Sequence, residues 1–331
     1  MVGRATKNFP SNCCYSESTM ELVLDRPLFT DVYEGPDQFT PAEGSAYLYG
    51  IFEERSRHIE AWRRATRDVL FVQLAERSQY EATTDHSDAK VISLRDRDHF
   101  ARLFSSIGRE TIYIDLTGLG HHVWAPLVRT ALDCGRRLRA VYVEPLDYHY
   151  SARPREGEIF DLSERIEGIA PIPLFTSLIE PPEEGVCFVP LLGFEGTRLA
   201  YMIEQVDPPG DKIVPIIGVP GFRAEYPFHT YLGNTPKLIE TGAWKNVRFA
   251  RANCPFSVFY VLADIMSTFA SEHVKIAPIG TKPHALGAVL QCIASSRSIE
   301  LVYDHPKRKP QRTSGSFHCL VYSISEFMPG S

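Results

Sequence analysis

Short apolar segments alternate with longer amphipathic segments along most of the chain. From about residue 110, each apolar segment is followed by a turn of Gly, Pro, Asn or charged residues and then by a helix-period segment. Examples are TIYIDLTGLG before HHVWAPLVRTALDCG and VKIAPIGTKP before HALGAVLQCIA. Apolar strands that alternate with helices of about 10–15 residues are typical of a parallel sheet covered on both faces. The pattern therefore predicts an α/β, Rossmann-like fold with a mostly parallel sheet.

The two ends of the chain depart from this alternation of strands and helices. The closing run FHCLVYSISEF predicts a further strand, antiparallel and at the edge of the sheet. In the first hundred residues, DVLFVQLAE predicts a strand, AKVISLRDRDHFARLFSSI a strand and a helix, and the second half of SAYLYGIFEERSRHIEAWRRATR a helix. These elements fit either a small α/β domain or the first units of one extended sheet. We predict a flexible extension over 1–19, a small N-terminal α/β region over 20–108 and a Rossmann-like domain over 109–331.

Composition and charge narrow the class of protein. The net charge of −6 argues against a protein whose whole surface binds nucleic acid. The seven cysteines include no C-x-x-C pair and several lie in apolar segments, which favours free thiols over disulfides or a zinc site. No apolar stretch approaches the roughly 18 residues of a membrane span, and the N-terminus lacks a signal-peptide pattern. We therefore expect a cytoplasmic protein with no membrane partner.

The turn at 280–283, GTKP, is the strongest candidate for a ligand-binding position. In open α/β sheets, ligands bind beyond the carboxyl ends of the strands, and this turn follows a predicted strand. Pro283 suits a first helical turn, and Thr281 or Lys282 lies at the cap. The free N–H groups of a helix start attract anions, and Lys282 adds a full positive charge. The turn therefore predicts either a helix cap with a solvated lysine or a phosphate site; no Walker A motif indicates ATP hydrolysis.

The string PIGTKPHALGA resembles the G-[GT]-T-K-x-[MH]-[AS]-[LM] turn of the CRISPR-associated Rossmann-fold (CARF) domains. These domains sense cyclic oligoadenylates and related nucleotides. The resemblance covers about 275–304 and, weakly, the surrounding α/β pattern. It implies that Thr281 and Lys282 contact a nucleotide at the face of a homodimer, and that the chain is a sensor in prokaryotic antiviral defence. The sequence departs from the family in lacking the doubled glycine and a nuclease domain.

Two further loops contribute candidate ligand-binding side chains. In LLGFEGTRLAYMIEQ, Arg198 suits a bidentate clamp on a phosphate and Glu195 suits a ribose hydroxyl or a cation, unless the two form a local salt bridge. In YDHPKRKPQRTSG, a basic run follows the last parallel strand, beside Asp304, and brings positive charge towards Lys282. Solvated side chains are the alternative for this run. The predicted ligand-binding set is Gly280, Thr281, Lys282, Arg198, Glu195, Asp304 and Arg308.

Two other classes of function stay open. In IDLTGLGHHVW, Asp115 at a strand end and His121 at a helix start could form an acid/base set with Glu195, as in a hydrolase or transferase acting on a nucleotide-like substrate. Adjacent histidines point to different sides of a helix, so His121 and His122 cannot both ligate one metal ion, and we predict no metal site. A non-catalytic scaffold is the third possibility. The Arg- and Glu-rich segment GIFEERSRHIEAWRRATR predicts a charged helical face exposed to solvent, which in a scaffold would be a docking surface for a partner protein. No cofactor is identified.

Overall fold

The computed structural model describes residues 29–86, 91–155, 158–160, 162–177, 185–270, 272–297 and 299–328. The extension predicted over 1–19 lies outside these residues. The strands are β1 (Thr30–Tyr33), β2 (Ala46–Tyr49), β3 (Leu70–Ser78), β4 (Glu81–Thr84), β5 (Val91–Ser93), β6 (Thr111–Asp115), β7 (Arg137–Tyr148), β8 (Tyr150–Arg155), β9 (Glu158–Phe160), β10 (Ser163–Ile166), β11 (Ala170–Pro171), β12 (Val186–Pro190), β13 (Ile216–Gly218), β14 (Arg248–Ala250), β15 (His273–Ala277), β16 (Ile299–Tyr303), β17 (Pro306–Arg308) and β18 (Thr313–Ser323). The α-helices are α1 (Ile59–Ala65), α2 (Arg97–Ile107), α3 (His121–Asp133), α4 (Gly196–Val206), α5 (Tyr226–Thr241), α6 (Pro255–Thr268), α7 (Lys282–Ala294) and α8 (Ile324–Phe327), and the 3-10 helices are Pro36–Gln38, Glu54–His58, Gly210–Lys212 and Ala243–Asn246.

The larger sheet has eight strands in the order β1-β18-β7-β6-β2-β3-β4-β5. Its central strands β7, β6, β2 and β3 are parallel, and antiparallel strands flank them on both sides. The strand predicted from FHCLVYSISEF is antiparallel, but its predicted place at the edge is wrong because β1 pairs with its outer side. Residues 319–322 of β18 are buried, and an exposed apolar strand of this length would invite association with other chains.

The predicted boundary between residues 108 and 109 falls within the larger sheet. β2 comes from the first predicted region and β6 from the second, and they pair in parallel with Ala46 opposite Ile112. Strands from both regions therefore share one sheet, as in the extended-sheet alternative. Both faces of β2 are buried: Leu48 packs in one hydrophobic cluster and Tyr47 in another.

The smaller sheet has the order β11-β16-β15-β12, with β16, β15 and β12 parallel. β13 and β14 form a further parallel pair, and bridges from Phe188 to Ile213 and from Leu191 to Ile216 connect it to β12. The segment that forms this sheet leaves the larger sheet at Tyr148 and returns opposite it at Thr313. A mixed α/β fold with a large sheet is confirmed, while the Rossmann-like arrangement of helices stays a prediction.

The helices and the cysteines test two further predictions, that no segment spans a membrane and that the thiols are free. None of the helices in the described part of the chain combines the length and the apolar character needed to cross a bilayer. Five cysteines lie in the described part, all as free thiols, and Cys187, Cys254 and Cys319 are buried while Cys134 is exposed. Cys13 and Cys14 lie outside the described residues.

Candidate ligand-binding site

A cavity of about 100 Å³ lies where the loops that follow β12, β13, β15 and β16 meet β7 and the start of α3. We call it the arginine cavity. Five cationic side chains line it, whereas Glu195 is the one carboxylate among the described lining residues. This imbalance in a partly closed space favours anions. The cationic residues are Arg55, Arg198, Lys282, Arg308 and Arg312.

The turn at 280–283 forms part of the wall of this cavity. Thr281 is the N-cap of α7: its Oγ1 accepts a hydrogen bond from the His284 N–H at 3.3 Å and donates to the Ala252 carbonyl at 3.1 Å. Gly280 packs so closely that an added Cβ would lie 2.5 Å from the Leu192 carbonyl oxygen. The helix cap predicted at this turn is therefore confirmed, and the cap already occupies one of the N–H groups that an anion would use.

Lys282 is buried and points to backbone acceptors. Its Nζ donates to the carbonyls of Thr117 at 2.7 Å and Leu119 at 2.9 Å, and to that of Leu116. Burial lowers the pKa of Lys282 well below its usual value, and the guanidinium of Arg308 adds to this shift. Since an ammonium group has three donors, these carbonyls use all of them. Lys282 thus connects the loop after β15 to the loop after β6, and its contact with a ligand stays a prediction.

A buried carboxylate organises three of the arginines. Glu53 accepts hydrogen bonds from Arg308 at 2.9 Å, from Arg312, and from Arg55 at 3.4 Å. Burial alone would raise the pKa of Glu53, but the guanidinium groups of Arg312, Arg55 and Arg308 hold it well below its usual value. One carboxylate against three guanidinium groups leaves an excess of positive charge beside the cavity.

Arg198 and Asp304 form a buried bidentate pair at the same site. Nε and Nη2 of Arg198 donate to the two Asp304 oxygens, both at 2.7 Å, and Nη1 donates to the Ile279 carbonyl at 3.0 Å. Asp304 is fully buried. The carboxylate of Glu195 accepts from the Leu162 N–H at 3.2 Å and the Ser163 hydroxyl at 2.8 Å, and lies 4.0 Å from Arg198. The sequence-predicted Arg198, Glu195 and Asp304 are brought together, and protein partners hold each of them.

The members of the predicted acid/base set have different surroundings. Asp115 is fully buried, and its two oxygens accept hydrogen bonds from the Thr117 and Gly118 N–H groups at 2.8 and 2.9 Å. Burial raises the pKa of Asp115 to about 6. These bonds fix the turn between β6 and α3. Asp115 does not line the cavity among the described residues, whereas His121 and Glu195 do.

Two lining residues keep polar atoms without a hydrogen-bond partner within the described part of the chain. These atoms are both ring nitrogens of His121 and Nε of Arg55, and all are buried. Burial, reinforced by Arg308, Lys282 and Arg198, lowers the pKa of His121 well below its usual value, so the ring is neutral at pH 7. A buried N–H donor without a partner costs about 1–3 kcal/mol, and a bound ligand would recover this free energy.

Aromatic rings line the rest of the cavity. Phe194 stacks on Phe160 with ring centroids 4.5 Å apart, and Tyr148 and Tyr226 meet Phe194 edge to face at 5.4 and 5.2 Å. On the other side, Tyr303 lies 4.7 Å from the ring of His121. Aromatic surfaces of this kind pack against planar rings.

Sequence reasoning did not select Glu53 and Arg55 as site residues, and it included Arg312 only as a member of the basic run after Asp304. Glu53 and Arg55 were assigned to a charged helical face exposed to solvent, yet they are 7% and 4% exposed. They lie at the start of the 3-10 helix Glu54–His58 rather than within an α-helix. The one available signal was the concentration of arginine on two distant segments, which meet only in the folded chain.

The adjacent histidines separate as expected from helix geometry. His121 lines the arginine cavity, and His122 lines a second cavity.

No protein-family model matches the chain, and a search of curated proteins found no similar sequence.

Proposed function

We propose that the chain binds a phosphorylated small molecule of the nucleotide class in the arginine cavity, as a ligand sensor or regulatory component. The observation on which this proposal depends is the set of four arginines and one lysine that line the cavity, of which Arg55 retains a buried N–H donor without a partner among the described residues. Arginine donors match the oxygens of a phosphate. Nearby aromatic rings suit a base or another planar ring.

The size of the cavity adds a constraint. Ligand pockets commonly measure about 300–1,000 Å³, and the arginine cavity measures about 100 Å³. A single phosphoryl group therefore suits the enclosed part, while the rest of the ligand packs in the mouth near Phe194 and Tyr226.

The CARF-like form of this proposal, with its role in prokaryotic defence, is narrower. It depends on the resemblance at Gly280, Thr281 and Lys282 alone. In the structure, Thr281 caps α7 and Lys282 binds three carbonyls. We therefore assign the phosphate contact first to Arg55, Arg308 and Arg312, and leave the defence role and the homodimer as extensions of the proposal.

Calorimetric titration with inorganic phosphate, phenyl phosphate and nucleoside monophosphates tests the proposal. We expect saturable binding that weakens about tenfold or more in Arg55→Met, because a charged hydrogen-bond donor is lost. Arg64→Met is the matched control, since Arg64 is an exposed residue of α1. Equal affinity of both variants for phosphate, or no binding by the wild type, would overturn the proposal.

A second candidate function is hydrolysis or group transfer on the same ligand. It is favoured by the neutral His121 ring, which lines the cavity with both nitrogens unpartnered among the described residues. Such a ring can accept a proton from an attacking water or hydroxyl group. Mass spectrometry of each titrated mixture separates the two functions: a sensor returns the ligand intact, and an enzyme yields a product that His121→Ala no longer forms.

A further inference from the structure

A second cavity, of about 410 Å³, adjoins the arginine cavity and has different chemistry. We call it the histidine cavity. Both cavities are lined by Tyr303, Pro306 and Arg308. Its volume falls within the range of about 300–1,000 Å³ that is common for small-molecule sites. The uncharged residues that shape the argument are Ile51, Phe52, Leu74, His122 and His305, and the charged lining residues are Glu76, Arg77, Glu167, Lys307 and Arg308. Lys307 pairs with Glu164 at 2.6 Å and Arg308 with Glu53 at 2.9 Å.

Two imidazole rings provide unpartnered nitrogens in this cavity. Nε2 of His305 and Nδ1 of His122 are buried and have no hydrogen-bond partner in the described residues. His305 is only 6% exposed, and the centroids of the two rings are 5.4 Å apart. This separation allows one planar group to reach both rings.

In each imidazole ring, the contacts of one nitrogen indicate whether the unpartnered nitrogen is a hydrogen-bond donor or an acceptor. A hydrogen bond with the backbone of Ala170 raises the pKa of His305 against the larger effect of burial. Because Nε2 has no partner in the described residues, we assign the N–H to Nδ1 and the acceptor to Nε2. His122 Nε2 faces the Glu76 carboxylate at 3.6 Å, which leaves Nδ1 as an acceptor. Burial lowers the pKa of His305 to about 4 and also lowers that of His122, so both rings are neutral at pH 7.

The backbone of His305 is strained in a way that supports a functional role. Its φ of +40° lies in the left-handed region, which residues with a β-carbon rarely adopt. Strained residues concentrate at ligand sites, where the surrounding structure holds them. The His305 ring lies 5.0 Å from the Tyr303 ring and 5.4 Å from the His122 ring, measured between centroids.

Two acceptors side by side could serve a metal ion or an organic donor. Within the described residues, no three His, Cys, Asp or Glu side chains are grouped so that they could hold a metal ion. Apolar walls from Ile51, Phe52 and Leu74 instead suit a planar hydrocarbon ring.

We infer that the histidine cavity is a second binding site, for an aromatic molecule that carries N–H donors such as an amidine or an amine. This inference goes beyond the phosphate site and does not depend on it. The donors bond to His305 Nε2 and His122 Nδ1, and the Glu76 carboxylate favours a positive charge on the same group. The aromatic ring of the bound molecule packs against Phe52 and Leu74.

Calorimetric titration with benzamidine, benzamide and benzoate tests this site, because the three share a ring and differ in their donors. We expect benzamidine to bind more tightly than benzamide and benzoate to bind weakest. His305→Gly should weaken benzamidine binding about tenfold, as one charged hydrogen bond is lost. Glycine adopts the positive φ without strain, so this variant keeps the backbone intact. His149→Ala is the matched control, since His149 is exposed and lines neither cavity.

Three results would overturn the inference: benzoate binding as tightly as benzamidine, unchanged affinity in His305→Gly, or displacement of benzamidine by inorganic phosphate. The last result would place benzamidine in the arginine cavity. Failure of phosphate binding with retained benzamidine binding would remove the proposed function and leave this site intact.

Discussion

The arginine cavity and the histidine cavity share three lining residues, yet they offer complementary hydrogen-bonding groups. The first presents cationic donors around one carboxylate, and the second presents two neutral imidazole acceptors beside Glu76. Adjacent residues of α3, His121 and His122, contribute one ring to each. A single step along a helix rotates a side chain by about 100°, so neighbours in sequence can belong to sites of different chemistry. Two ligands of unlike charge could therefore bind side by side across Tyr303 and Arg308.

The largest expected effect comes from Lys282→Met, because Lys282 lines the arginine cavity and also holds the loop that precedes His121 and His122. The ammonium bonds to the carbonyls of Leu116, Thr117 and Leu119, in the loop that precedes His121 and His122. Its loss leaves buried carbonyl acceptors unpaired, at about 1–3 kcal/mol each, but it also removes an ammonium group whose burial is unfavourable. We therefore expect the free energy of unfolding to fall by a net amount of about 3 kcal/mol. Urea denaturation measures this loss, with the exposed Lys245→Met as control.

This variant also decides between two roles of the lysine. A structural role predicts that both phosphate and benzamidine bind more weakly, because the loop that positions His121 and His122 is no longer held in place. Normal stability with a selective loss of phosphate binding would show instead that Lys282 contacts the ligand, as the CARF-like turn implies.

Glu53→Gln should give a smaller effect that depends on pH and concerns the arginine cavity. The folded-state pKa of Glu53 is lowered by Arg312, Arg55 and Arg308. Its contribution to stability is therefore fully present above the usual carboxyl pKa and is lost as pH falls through the lowered value. We expect the variant to be about 2 kcal/mol less stable at pH 7, and the gap from wild type to narrow towards pH 3.

Urea denaturation from pH 7 to pH 3 measures this gap. Glu60→Gln is the control, because the Glu60 side chain is 68% exposed. A gap that stays constant with pH would show that the Glu53 carboxylate does not titrate as the structure implies. Arg308 bonds to Glu53 and lines both cavities, so we expect benzamidine affinity to change less than phosphate affinity in Glu53→Gln at pH 7.

The smallest effect is expected from Phe194→Leu in the aromatic mouth of the arginine cavity. Aromatic pairing contributes about 0.5–1.5 kcal/mol beyond burial, so phenyl phosphate should lose about threefold in affinity. Inorganic phosphate lacks a ring and should bind the variant and the wild type equally. If both probes weaken by the same factor, Phe194 shapes the anion site and does not recognise a planar group.

Parts of this comparison were accessible from the sequence. The alternation of apolar strands and helices predicted β6, α3, β15 and α7, and PIGTKP predicted the cap at Thr281, because these features depend on nearby residues. The partners of Lys282 lie more than 160 positions away in sequence, and Glu53 meets Arg308 across 255 positions. Pairing over such distances depends on how the sheets meet, which local patterns do not encode.

The histidine cavity also depends on contacts between residues that are distant in sequence, which local sequence patterns do not predict. The sequence predicts that His121 and His122 point to different sides of a helix, but it places His305 only after the last parallel strand and gives it no role. Its positive φ and its contact with His122 follow from the path of the chain between β16 and β17. Composition gave no signal for this arrangement.

The return of the chain to the larger sheet has a consequence for the order of folding. β18 lies between β1 and β7 and follows the whole segment that builds the smaller sheet. During synthesis, β7 therefore waits with an unpaired side while about half of the chain is still being made. The strands of the smaller sheet are therefore synthesised before this gap is filled, and β18 then pairs with both β1 and β7, so it connects an early segment of the described chain to a much later one.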